Sequence, residues 1–72
     1  MTDTDKLNRK IEMSGYKKNY LAKELGITPA ALYQKIANRR EFKASEINIL
    51  CKILGITSLT EKEAIFFARE VA

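Results

Sequence analysis

Four residues punctuate this chain and constrain what it can fold into: Gly15, Gly26, Asn38 and Gly55. Each closes a stretch in which apolar residues recur every three or four positions. That is where a helix ends on a left-handed residue, a conformation glycine adopts freely and asparagine adopts next best. No stretch alternates apolar and polar residues as a strand does. The spacing therefore predicts an all-α chain, a compact five-helix bundle with connections of about 2–6 residues. The first helix is predicted over 5–14, capped by Thr4 or Asp3, with Leu7 and Ile11 inward. The second is predicted over 18–25, with Leu21, Ala22 and Leu25 inward and Tyr16 placed to staple onto Leu21. The third has the strongest local start: Thr28 as cap, Pro29 at the first helical position, and Ile27 at staple spacing from Leu32. It ends before Asn38. The fourth is predicted over 44–54, with Ile47, Leu50, Cys51 and Leu54 on one face. Its first residue is open, because Lys43 and Ala44 are poor caps while Ser45 is a good one. The fifth is predicted over 60–71, opened by the capping box Thr60-Glu61-Lys62-Glu63. Its inward stripe is Ala64, Phe67, Ala68 and Val71, which leaves Ile65 and Phe66 projecting off the stripe.

A chain of 72 residues is one domain, 1–72, with a thin stability margin. A core of this size rarely supplies more than about 3–5 kcal/mol without a covalent or metal staple. Cys51 is the single cysteine, so no internal disulfide can form, and with no histidine a structural zinc site is nearly excluded. Packing, self-association or both must hold the fold. The longest apolar runs, 64–68 and 47–51, are far too short to span a bilayer. The opening Met-Thr-Asp-Thr-Asp lacks the basic start and apolar stretch of a signal peptide. The expectation is a soluble chain in a reducing compartment.

The charge is unevenly spread. Lys and Arg number 13 against 9 acidic residues, net +4. Between Lys6 and Lys43 stand ten basic residues and three acidic ones, a local net of +7, while residues 44–72 are nearly neutral. A one-sided positive field suits a polyanion, most often nucleic acid. A merely lysine-rich solvated surface is the alternative that charge alone leaves open.

The unit 17–38 narrows that choice. Only Gly26-Ile27-Thr28 separates its two predicted helices. Ala22 is small where the helices must cross closely, Gly26 four residues on permits a tight turn, and Leu32 anchors the second helix. That spacing is the pattern of a DNA-binding helix-turn-helix, which projects its second helix toward a major groove. A plain helical hairpin is the competing reading.

Residues 16–56 resemble the Cro/CI-type (Xre-like) helix-turn-helix domain of phage regulators. The resemblance rests on Leu21-Ala22-Lys23-Glu24-Leu25-Gly26-Ile27-Thr28, on Leu32-Tyr33-Gln34-Lys35-Ile36 and on Leu54-Gly55-Ile56. Arg39-Arg40-Glu41-Phe42, followed by Ser45-Glu46-Ile47, is similar to the small Cro-like proteins of temperate phages of Gram-positive bacteria. The resemblance implies a regulator of the lysis–lysogeny switch, acting in the bacterial cytoplasm, either on operator DNA or as an anti-repressor in complex with a CI-type repressor. It implies a phosphate grip by Lys17, Lys18 and Asn19 at the start of the second helix. Base reading would fall on Thr28, Pro29, Ala30, Ala31, Tyr33, Gln34 and Lys35. Backbone or minor-groove contacts would come from Arg39, Arg40 and Lys43.

The third helix departs from the family pattern at its first turn, where Pro29-Ala30-Ala31 stand in place of polar readers. Alanine can touch a thymine methyl but makes no base-edge hydrogen bond, whereas Gln34 can pair bidentately with adenine. Direct readout is thin. Either binding is mostly electrostatic, or the Ala30-Ala31-Tyr33 patch meets a protein partner. Tyr33 has a second reading, packing against the fourth helix, and Lys35 a second reading as an ordinary solvated lysine. Cys51 reads as a small buried hydrophobe. Ile65 and Phe66 read either as an association surface for a homodimer or repressor complex, or as a broad core-covering face. No nucleophile–base pair, carboxylate pair or phosphate loop is visible, so neither an enzyme nor a cofactor, metal or small-molecule substrate is expected.

Overall fold

The computed structural model describes residues 1–69. Among them the chain forms five helices and no strand: α1 (Thr4–Ser14), α2 (Lys18–Leu25), α3 (Pro29–Ile36), α4 (Ala44–Leu54) and α5 (Leu59–Phe66). The punctuation residues behave as expected. Gly15, Gly26, Asn38 and Gly55 all take positive φ, with Asn38 at 65° the one non-glycine. At Gly26 the Ile27 N–H reaches the Ala22 carbonyl and the Gly26 N–H reaches that of Lys23, both at 3.0 Å. The same pair of bonds closes α3, from Arg39 N–H to the Gln34 carbonyl (2.9 Å) and from Asn38 N–H to that of Lys35 (3.2 Å).

The helix starts follow cap chemistry. Asp3 Oδ1 accepts from Lys6 N–H at 3.0 Å, and Thr28 Oγ1 accepts from Ala31 N–H at 3.1 Å ahead of Pro29. Thr4 is thus helical, and its hydroxyl donates instead to the Ile36 carbonyl at 2.6 Å, tying α1 to the end of α3. α4 begins at Ala44 although Lys43 has no acceptor to offer; the Glu46 carboxylate reaches back and accepts the Lys43 N–H at 2.8 Å.

Tyr16 stacks on Tyr20, with ring centroids 5.2 Å apart, and both rings are exposed. One expectation fails. α5 is rotated and shorter than expected. Ser58, not Thr60, is its cap, accepting from Glu61 N–H at 3.2 Å, and the helix ends at Phe66. Ile65 (2% exposed) and Phe66 (4%) are core, whereas Phe67, expected inside, is 58% exposed. Val71 lies outside the described residues.

The core gathers Leu7 and Ile11 of α1, Leu21 and Ala22 of α2, Leu32 and Ile36 of α3, Ile47, Leu50 and Leu54 of α4, then Ile56, Ile65 and Phe66. Burying each large aliphatic or aromatic side chain is worth roughly 1.5–3 kcal/mol. Ala22 is fully buried on α2, which packs on both α3 and α4.

Residues 1–3 hold the rotated α5 in place. Asp3 N–H donates to the Ile65 carbonyl at 2.7 Å, and Ala68 N–H donates to that of Met1 at 2.9 Å. On the other side Asn38 clasps Thr2: its Oδ1 accepts the Thr2 N–H and its Nδ2 donates to the Thr2 carbonyl, each at 2.7 Å. The segment thus bridges the end of α3 to the end of α5.

Candidate nucleic-acid interface

α3 has two sharply different faces. Leu32, Lys35 and Ile36 point inward and are buried. Ala30, Tyr33, Gln34 and Ala37, spaced as one helical stripe, are exposed, together with Pro29, while Ala31 is half-buried. The outward side chains are almost all apolar. Their polar atoms are the Gln34 amide and the Tyr33 hydroxyl, because the Thr28 hydroxyl already caps the helix.

The inward face overturns one expected DNA contact. Lys35 is 2% exposed, and its Nζ bonds both Glu46 oxygens, at 2.6 and 2.7 Å. A lysine six residues after the α3 start points into the bundle alongside Leu32 and Ile36, and there a charge persists only if paired. Burial pushes the Glu46 carboxyl up, but the Lys35 hydrogen bond, the Lys43 N–H and the charges of both lysines outweigh it, and the group is held below its ordinary range. The pair ties α3 to α4. Lys35 is a structural ion-pair partner, not a base reader.

The other expected contacts surround the outer face of α3. Lys17, Asn19, Arg39, Arg40 and Lys43 are exposed, and Lys18 is half-buried. The Lys18 ammonium sits over the Tyr33 ring, 5.2 Å from its centroid, so the first turn of α2 meets the outer face of α3. Tyr33 does not pack inward against α4; it is 53% exposed. Arg39 and Arg40 continue directly from the α3 terminus. Among the described residues the ion pairs are Lys35–Glu46 and Lys10–Glu61, so none of these flanking cations has a carboxylate partner. Glu24 and Glu41 are exposed acidic residues of the same stretch, and both leave those cations unpaired.

The start of α2 adds to the positive edge. Its cap position is Lys17, whose side chain makes no capping bond, so the first-turn N–H groups of Lys18, Asn19 and Tyr20 face outward without a side-chain acceptor. Unsatisfied N–H groups beside lysines form an anion-accepting end.

The expected association residues Ile65 and Phe66 are not at the surface. Phe66 meets Phe42 edge-on, with centroids 5.6 Å apart, inside the core. The exposed apolar residues of this end are Leu59 (67% exposed) and Phe67, which line one groove with Lys62, Glu63 and Arg69. Ala30 and Tyr33, also weighed as a partner surface, are exposed. Lys23, exposed on α2, extends the basic set beyond the expected residues. Its sequence signal was its place within the basic stretch.

Burial pushes the Cys51 thiol up, against Lys62, which lowers it, while Glu61 adds to the rise; a half-buried thiol of this kind is a poor nucleophile. Among the described residues no cluster of three His, Cys, Asp or Glu side chains is set to hold a metal ion, and no helix is long and apolar enough to cross a membrane. No protein-family model matches the chain, and neither a curated protein nor a solved structure matches it significantly.

Proposed function

We propose that this chain is a Cro-like transcriptional regulator that binds operator DNA in the bacterial cytoplasm, with α3 as the recognition helix of a helix-turn-helix. One observation carries the reading: the outer face of α3 is exposed, free of acidic side chains, and flanked by cations that have no ion-pair partner among the described residues. DNA presents a phosphate lattice to such a rim and a groove to such a helix. Lys17 and Lys18 grip one backbone together with the α2 N–H groups. Arg39, Arg40 and Lys43 grip the other side. The assignment to a phage lysis–lysogeny switch rests on the sequence resemblance.

Binding should be strongly salt-dependent. About five phosphate contacts give a log–log slope of roughly −4 to −5 against salt concentration. Fluorescence anisotropy on a labelled duplex from the flanking intergenic region, measured between 50 and 200 mM salt, tests this. Absence of any complex at the lowest salt would end the DNA reading.

A second reading, an anti-repressor working through a protein complex, is favoured by the exposed Leu59 and Phe67. Under it a stoichiometric complex with a CI-type repressor forms and is lost in Phe67→Asp. Under the first reading, that variant binds a single half-site duplex as the parent does. The same apolar pair is available to a homodimer on a two-half-site operator.

A further inference from the structure

We infer that the half-site read by α3 is an A·T step, with thymine methyls against Ala30 and an adenine held by Gln34, and that α3 makes no bidentate contact to guanine. The inference rests on the proposed DNA reading and deepens it. The commonest specific base contact is an arginine or lysine donating twice to guanine O6 and N7. α3 contains one cationic side chain, Lys35, and the Glu46 carboxylate consumes it inside the bundle. From sequence alone Lys35 reads either as a base reader or as a solvated lysine; its burial removes the guanine donor from this helix.

What remains outward is chemically selective. Pro29, Ala30 and Ala37 offer only carbon, and the half-buried Ala31 adds little else. Carbon in a major groove gains most against the thymine C5 methyl. Gln34 carries one amide oxygen and one NH2 on the same exposed stripe. That donor–acceptor pair matches adenine N7 and N6–H2, whereas guanine presents two acceptors side by side. Tyr33 stands between Ala30 and Gln34 with its ring held under the Lys18 ammonium. The ring widens the apolar strip.

The flanking cations are indifferent to sequence. Their phosphate contacts set affinity and register, so a modest base code still yields a stable complex. Affinity and specificity therefore reside in different residues, and they can be separated.

The test is selection from a random-sequence duplex library, followed by anisotropy on the selected duplex. The expected result is a contiguous A·T core in each half-site. Replacing its thymines with deoxyuridine, which removes only the methyl, should weaken binding by about threefold or more, and replacing the key adenine with 7-deazaadenine by about tenfold. Gln34→Ala should abolish the second effect and keep the salt slope of the parent. Gln34 is exposed, so this variant keeps the fold, which circular dichroism verifies. Three results overturn the inference while leaving DNA binding intact: a selected core containing guanine whose 7-deaza form weakens the complex, a guanine preference that disappears in Lys18→Ala, or equal affinity for every duplex. Failure to bind any library duplex at 50 mM salt would remove the inference together with the reading beneath it.

Discussion

α3 and α5 are both eight-residue helices that each bury two apolar side chains in the same core. Their faces were not equally readable. α3 is bounded by residues that touch it in sequence: Thr28 caps it, Pro29 starts it, Ile27 and Leu32 lie at staple spacing, and Asn38 closes it. α5 is oriented by residues far away. Asp3 bonds its Ile65 carbonyl, Met1 bonds Ala68 just past its end, and Phe42 meets Phe66 edge-on. The apolar pattern of α5 runs almost all the way round, so the remote contacts choose its face. The difference teaches that local cap chemistry fixes an element's limits, while its rotation is legible only where the apolar stripe is narrow.

The largest effect expected bears on how local α3 really is. Glu46→Ala leaves Lys35 buried without a counter-charge and removes the acceptor of the Lys43 N–H, and should cost about 3–5 kcal/mol in urea denaturation. In a domain of this size that approaches the whole margin. The double variant Lys35→Met/Glu46→Leu should recover most of the loss, because an apolar pair of similar volume removes the unpaired charge and leaves only the Lys43 N–H without its acceptor. Acidity should reproduce the single variant in part. The Glu46 carboxyl is held low in the fold, so its contribution is fully present above the unfolded value of about 4.3 and is lost as pH falls through the depressed folded value. The double variant should lack that component. A Glu46→Ala protein as stable as the parent would mean that the Lys35–Glu46 pair adds nothing to how α3 is held.

The next effect breaks or confirms the rotation of α5. Phe66→Ala should cost about 3–5 kcal/mol, whereas Phe67→Ala should change stability by about 0.5 kcal/mol or less. Thermal denaturation of the two variants side by side decides it. If the costs were reversed, the stripe of Ala64, Phe67 and Ala68 would face the core after all.

That pair of residues also marks how far the sequence carried. The helix count, the limits of α2 and α4 and the buried face of α2 all follow from glycine placement, caps and a clean three–four period. Among the candidate contacts, Lys17, Arg39, Arg40 and Lys43 lie outward as surface cations should, with the neutral Asn19 exposed beside them and Lys18 half-buried. Lys35 does not, because a lysine reads as solvated until its partner is known, and Glu46 stands eleven residues away on another helix. The clasp of Asn38 on Thr2 left no trace in the pattern either. A backbone that pairs with an amide side chain has no signature in residue type.

The clasp gives the third prediction. Asn38→Gly keeps the left-handed turn but leaves the Thr2 N–H and carbonyl without their partner, at a cost of about 1–3 kcal/mol. Asn38→Ala should lose roughly 1 kcal/mol more, because a Cβ disfavours positive φ. The gap between the two variants separates turn from clasp. Hydrogen exchange should show the loss concentrated in residues 1–3 and at the ends of α3 and α5, which that segment bridges.

The smallest effect on folding is expected where the effect on binding is large. Arg39 and Arg40 are exposed and have no ion-pair partner among the described residues, so replacing both with alanine should leave the denaturation midpoint within about 0.5 kcal/mol of the parent. Each lost phosphate contact should lower the salt slope of DNA binding by about 0.9, hence by nearly two for the pair, with no change in which duplex is preferred. Gln34→Ala should do the reverse, keeping the slope and relaxing the preference. If the arginine pair changed the preferred sequence, base reading would extend past the end of α3, and the division between a neutral reading face and a charged gripping rim would have to be redrawn around the Asn38 turn.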